Sequence, residues 1–139
     1  YPDRLSEKRL LQDGISAGGP ADRIEDLEPV FDVESLAHHQ KAVEQVHLSD
    51  ALVDYIQAIA GKTRESAATG EGLSPRGALA LARASRAWAY IQGRNMTLPE
   101  DVQAVAVSVL SHRLNPPEDP SGETGRRKAE DVLAQVKAV

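Results

Sequence analysis

The chain has 139 residues, 41% of them hydrophobic and 4% aromatic, with a net charge of −5 at pH 7 and no cysteine. Such a length suits one domain, or one domain with an appendage, around an aliphatic core, and the acidic balance argues against a broad nucleic-acid surface. The lack of cysteine excludes disulfides, thiol chemistry and cysteine-ligated metal, which fits a reducing, cytoplasmic setting, and no apolar run approaches the ~20 residues of a membrane span. The stretch from Tyr1 to Gln12 predicts an extended Tyr-Pro start and a short helix with Ser6 as N-cap and Glu7 in its first turn. The first residue is Tyr1 rather than Met, as expected of an internal piece of a longer protein. Residues 13–29 are rich in Gly, Pro and acid and predict a loop. Its Asp22, Glu25, Asp26 and Glu28 lack the Gly-centred alternation of a calcium loop. A second helix starts near Asp32, with Val33, Leu36, Val43 and Val46 as its stripe. A third follows Ser49, with Leu52, Val53, Ile56, Ile59 and Ala60 at helical spacing. Gly70 and Gly72 mark a loop before the fourth helix, which Ser74 caps, Pro75 opens and Gly93 ends. The fifth begins at Pro99 and buries Val102, Val105, Ala106, Val109 and Leu110. Residues 115–125 read as a Pro/Gly linker to a last helix, about Arg126 to Ala138, with Ala129, Val132, Leu133 and Val136 inward. No strand and no repeat is visible, so the expectation is an all-α helical bundle.

The fourth helix carries the chemistry. Between Gly72 and Pro99 there is no Asp or Glu, yet Arg76, Arg83, Arg86 and Arg94 all fall inside. At 100° per residue Arg76 and Arg83 lie within about 20° of each other, with Arg86 about 60° further round. The opposite side offers Ala78, Leu81, Ala82, Ser85, Trp88 and Ala89 for packing, and Trp88 is expected to be buried against the helix that starts at Pro99. Arg76 falls at the second helical position, beside the open N–H groups and positive dipole end that Ser74 and Gly77 shape. A guanidinium there suits a phosphate, because its planar fork matches two oxygens. The ordinary alternative is a solvated arginine or a surface ion pair worth about 0–1 kcal/mol.

Other candidates carry less. His38, His39, His47 and His112 have no metal-ligand spacing, so no metal residue is assigned. "GKTR" at 61–64 only echoes a phosphate loop, since its leading glycine is missing and position 56 is Ile. No nucleophile–base pair is present, and no catalytic residue is assigned. The chain alone is not a complete enzyme.

Four stretches in order, "YPDRLSEKRLL", "VEQVHLSDALVDYIQAI", "GLSPRGALALARASRAWAYIQGR" and "LPEDVQAVAVSVLSHRL", resemble the C-terminal lid of the MoxR family of AAA+ ATPases. The likeness runs from Tyr1 to about Leu114. It implies that residues 1–30 are the end of the ATPase core and a connecting loop, 31–114 the helical lid, and 115–139 a linker and C-terminal helix. By resemblance Arg76 is the second-sensor arginine, reaching the γ-phosphate of ATP bound in the upstream core, with Ser74 and Gly77 supporting the helix end. Arg83, Arg86 and Arg94 would then face the core or a neighbouring subunit. ATP and magnesium would be held mainly by the core, whose phosphate loop, metal-binding acids, first sensor and arginine finger lie upstream of Tyr1. The isolated chain is expected to bind ATP at best weakly and not to hydrolyse it. The resemblance further implies a hexameric ring and chaperone-like remodelling of a client protein. Leu98 departs from the family's capping Thr before Pro, so the fifth helix is expected either to be capped by Thr97 instead or to begin less cleanly. The second class of function is a stand-alone helical module whose arginine face docks an acidic partner.

Overall fold

The computed structural model describes residues 2–15, 27–65 and 72–138. These form six helices and one isolated bridge, and the contacts divide the chain into two compact units, residues 1–37 and 38–139. The fold is all-α, as the patterning predicts. Asp22, Glu25, Asp26 and Gly70 lie outside the described residues.

In the first unit, α1 spans Arg4–Ile15. Its cap is Asp3, not Ser6: Asp3 Oδ1 accepts from the Leu5 and Ser6 N–H groups at 2.9 and 3.0 Å, and Ser6 Oγ donates to Asp3 Oδ2. Those bonds hold the Asp3 carboxyl below its ordinary range, the Ser6 N–H contributing most. A carboxylate one residue before the helix reaches both free amides of the first turn, so the earlier position wins. α2 spans Val33–Gln45, starting in the first unit and ending in the second. Asp32 and Ser35 cap it reciprocally, Ser35 N–H to Asp32 Oδ1 at 2.7 Å and Asp32 N–H to Ser35 Oγ at 3.1 Å. The expected stripe of α2 is buried only at its far end: Val33 and Leu36 are exposed and Val43 is half-buried, while Val46, just past the helix, is buried.

The second unit holds the core. α3 (Asp50–Glu65), α4 (Pro75–Ile91), α5 (Pro99–Leu114) and α6 (Glu123–Gln135) surround Leu52, Tyr55, Ile56, Ile59, Leu73, Leu81, Val102, Ala106, Leu110, Ala129 and Val132. α5 is the central member, packed against both α4 and α6, while α3 lies across all three. Burial along α3 follows Leu52, Tyr55 and Ile56, Ile59 and Ala60, then Thr63, a steady advance of three or four residues. Val53, expected in that stripe, sits 100° off Leu52 and is exposed.

Trp88 also departs from expectation: it is 39% exposed and lies outside the core cluster. The buried row of α4 is Leu81, Ser85 and Ala89, spaced by four, so the inward direction rotates about 40° at each step. By residue 88 the core has turned away from the position that repeats Leu81 seven residues on. Small Ala89 takes the interior, and the large ring stays on the flank.

The segment between α5 and α6 is tightly bonded. Asn115 Nδ2 donates to the Asp119 carbonyl at 2.5 Å while its Oδ1 accepts from the Gly125 N–H at 3.0 Å. The Asp119 carboxylate accepts from Ser121 Oγ and from the Ser121 and Thr124 N–H groups, which holds its pKa far below the usual carboxylate range, the Ser121 hydroxyl contributing most. α6 therefore starts earlier than the sequence suggests, at Glu123. Gly125 then meets the Ser111 carbonyl so closely that a side chain there would collide with it. Among the described residues no helix is long and apolar enough to cross a membrane.

Candidate functional site

The first turn of α4 is built from several directions. Thr63 Oγ1 donates to the Ala60 carbonyl at 2.7 Å and accepts from the Leu73 N–H at 2.8 Å, while Arg64 Nε donates to the Leu73 carbonyl at 2.9 Å. These are the "GKTR" residues, whose work is to pin the chain just before the helix. Leu73 is buried and fixes the position of Ser74. Ser74 is the N-cap, extended at φ −68° and ψ 162°, with its Oγ accepting from the Gly77 N–H at 3.2 Å. Pro75 has no N–H, and the Ala78 N–H bonds the Ser74 carbonyl at 3.0 Å. The amide left open in this turn belongs to Arg76, and so does the exposed guanidinium beside it.

The Arg76 side chain has no hydrogen bond or ion pair within the described residues, and neither has that of Arg83. The other two arginines differ. Arg86 Nε donates to the Val46 carbonyl at 2.8 Å and its Nη2 to the Glu44 carbonyl at 3.0 Å. Arg94 forms a two-pronged pair with Asp101, Nη1 to Oδ2 at 2.6 Å and Nη2 to Oδ1 at 2.5 Å. The four therefore do not form one cluster, because α4 ends at Ile91 and Arg94 lies beyond it. Gly93, at φ +74°, closes the helix: its N–H bonds the Tyr90 carbonyl and the Arg94 N–H bonds the Ala89 carbonyl.

Asp101 is 1% exposed, and its Oδ2 also accepts from the Leu98 N–H at 2.7 Å. The Arg94 guanidinium, and then that N–H, hold its carboxyl below the ordinary range despite burial, and the pair raises Arg94 in turn. Thr97 does not cap α5 as expected. Its hydroxyl is buried without a partner among the described residues, the N-cap is Leu98, and Asp101 reaches back to the start of the helix instead.

One neighbour was not legible as part of this site. Arg113, from the end of α5, lies over the first turn of α4, its Nε 3.3 Å from where a Gly77 side chain would begin. Nothing in local spacing joins residues 77 and 113. The His-Arg-Leu ending of α5 was the sole hint. Among the described residues no three His, Asp or Glu side chains gather as metal ligands. His39 instead bonds Tyr90, Nδ1 to OH at 2.6 Å.

A four-helix core, an N-capped α4 with an open first turn and the joined α5–α6 pair define a helical lid of the AAA type. The chain belongs to the AAA lid domain family, which it matches over residues 61–136. It is similar to Protein MoxR of Paracoccus denitrificans, 37% identical over 92 residues, 55% of this chain and 27% of that protein. The uncharacterised protein YeaC of Bacillus subtilis is 34% identical over 116 residues, 82% of this chain and 36% of that protein. Chaperone MoxR1 of Mycobacterium tuberculosis is 37% identical over 73 residues, 46% of this chain and 19% of its own length. A solved structure from Cytophaga hutchinsonii, described as a candidate ATPase, superposes with a TM-score of 0.71 at 24% identity, over all of this chain and 44% of that one, and supports the fold. The chain thus spans less than half of each of these proteins.

Proposed function

We propose that the lid closes on ATP held by the AAA+ core that accompanies a lid of this family, with Arg76 as the arginine that senses the γ-phosphate. The observation that carries this reading is the contrast on α4. Arg76 stands in a capped first turn, exposed and unpaired among the described residues, whereas Arg86 and Arg94 are committed inside the unit. An exposed fork beside a free amide and the positive helix end is the arrangement that receives phosphate oxygens. Magnesium, on this reading, is bound by the core. ATP supplies the charge that holds the lid shut, and its hydrolysis removes Arg76's partner and lets the lid open. Ser74 and Gly77 keep the helix end in register. Assembly into a hexameric ring, and use of the lid's motion to remodel a client protein, extend the reading along the lines of the relative named a chaperone. A free-standing module docking an acidic partner gains nothing from the geometry, because two of its four arginines are spent within the fold.

The test is the hydrolysis rate of the full-length ATPase carrying Arg76→Ala or Arg83→Ala. The expected result is a much larger loss for Arg76. Equal losses would mean that the arginine face is a diffuse docking surface, and the sensing role would fail.

A further inference from the structure

At the end of α2 the Val46 N–H closes the last turn on the Val43 carbonyl at 3.2 Å. This turn carries no basic residue, and no residue within the helix is buried, although Val46 directly after it is. The final carbonyls of a helix have no partner within it and need one from elsewhere. α4 provides it: Arg86 reaches the Glu44 and Val46 carbonyls together, at 3.0 and 2.8 Å. One turn further along the same face, Tyr90 bonds His39. Past both helices the contact continues, with the His47 N–H on the Asn95 carbonyl and the Thr97 N–H on the His47 carbonyl, both at 2.8 Å. A cation at a helix C-terminus is favoured by the dipole, and a planar fork can hold two carbonyls where an ammonium holds one.

We propose that Arg86 is a positioning residue that ties the end of α2 to the helix bearing Arg76, so that α2 follows α4 when the lid responds to nucleotide. The proposal rests on the reading of Arg76 given above. Arg76 and Arg86 stand about 15 Å apart along one rigid helix, so a tilt imposed at its first turn arrives at the tie undiminished. Arg86 acts here through α2 and touches no phosphate.

Hydrogen exchange of the full-length ATPase tests this, with and without a non-hydrolysable ATP analogue and magnesium, read at residues 43–48 and at 78–82. In the wild-type protein the analogue is expected to slow exchange at both places. Arg86→Ala should speed exchange at 43–48 about tenfold without nucleotide, as loss of a charge-assisted bond implies, and should abolish the analogue's effect there while leaving it at 78–82. Arg86→Lys, which keeps the charge and one bond, should fall between and guards against a variant that fails to fold. Unchanged exchange at 43–48 in Arg86→Ala, or continued protection there by the analogue, would overturn the tie. Absence of any analogue effect at 78–82 in the wild type would overturn the sensing role of Arg76 instead, and the nucleotide-free comparison would still decide whether Arg86 holds α2.

Discussion

At the start of α4, Arg76 stands exposed with no partner among the described residues, while just past its end Arg94 grips a buried carboxylate with both prongs of its guanidinium. Residue type and charge are the same. What separates them among the described residues is a carboxylate partner: Asp101 enters from the first turn of α5 at one end, and the Arg76 side chain has none at the other. An arginine spent on its own fold contributes stability and little else. One left open at a capped helix start contributes little stability and keeps its charge for a ligand.

The sharpest way to break that comparison is to truncate each arginine's function in turn. Arg76→Ala should lower hydrolysis by the full-length ATPase on the order of 10³-fold, the scale of arginines that stabilise a transferring phosphoryl group. It should change lid stability by no more than about 0.5 kcal/mol, because the side chain leaves no partner behind. Arg76→Lys should recover part of the rate, since a point charge replaces the fork incompletely. A melting temperature that falls in step with the rate would show that Arg76 supports the fold after all.

Much of this was legible in the sequence, and the misses have physical causes. Ser74, Pro75 and Gly93 marked the bounds of α4 because caps are local chemistry, decided within four residues. The partners of Arg86 and Arg94 were not, because Val46 and Asp101 reach them through packing rather than spacing. Arg76 and Arg83 lie exposed on one side of α4, as helical spacing predicts, but Trp88 does not lie inward, because the core direction is not fixed along α4. The advance of the buried row by fours turned that direction away. Asp3 was passed over for Ser6 because both residue types cap well and only the backbone says where the helix begins.

A smaller effect is expected at the committed end. Asp101→Ala should cost about 2–3 kcal/mol, as it strands the Arg94 guanidinium and removes the acceptor of the Leu98 N–H. Its pH dependence identifies the mechanism. The folded-state pKa of Asp101 is depressed, so the carboxylate's contribution is fully present above the unfolded value of about 4 and is lost as pH falls through the folded value. Asp3, Asp32 and Asp119 are lowered too, so the wild-type melt alone mixes four groups. The difference between wild type and Asp101→Ala isolates one of them. It should be constant from pH 7 to about 5 and shrink below about 4. A difference independent of pH would mean that side-chain volume, not the ion pair, is what Asp101 provides.

Trp88 gives the smallest effect and bears on the face between the two ends. Truncating a fully buried tryptophan costs about 3–5 kcal/mol, through lost transfer energy and the cavity left behind. Trp88 is 39% exposed and outside the core cluster, beside the exposed Ile91, so neither contribution applies in full. Trp88→Ala should therefore cost about 1–2 kcal/mol in a thermal or urea melt of this chain. As the only tryptophan, it also reports its own surroundings: its fluorescence in this chain should be readily quenched by iodide. A loss above about 3 kcal/mol, together with emission shielded from iodide, would show that the ring belongs to the core. The row Leu81, Ser85 and Ala89 would then no longer define which side of α4 faces inward, and with it would go the outward placement of Arg76 on which the comparison stands.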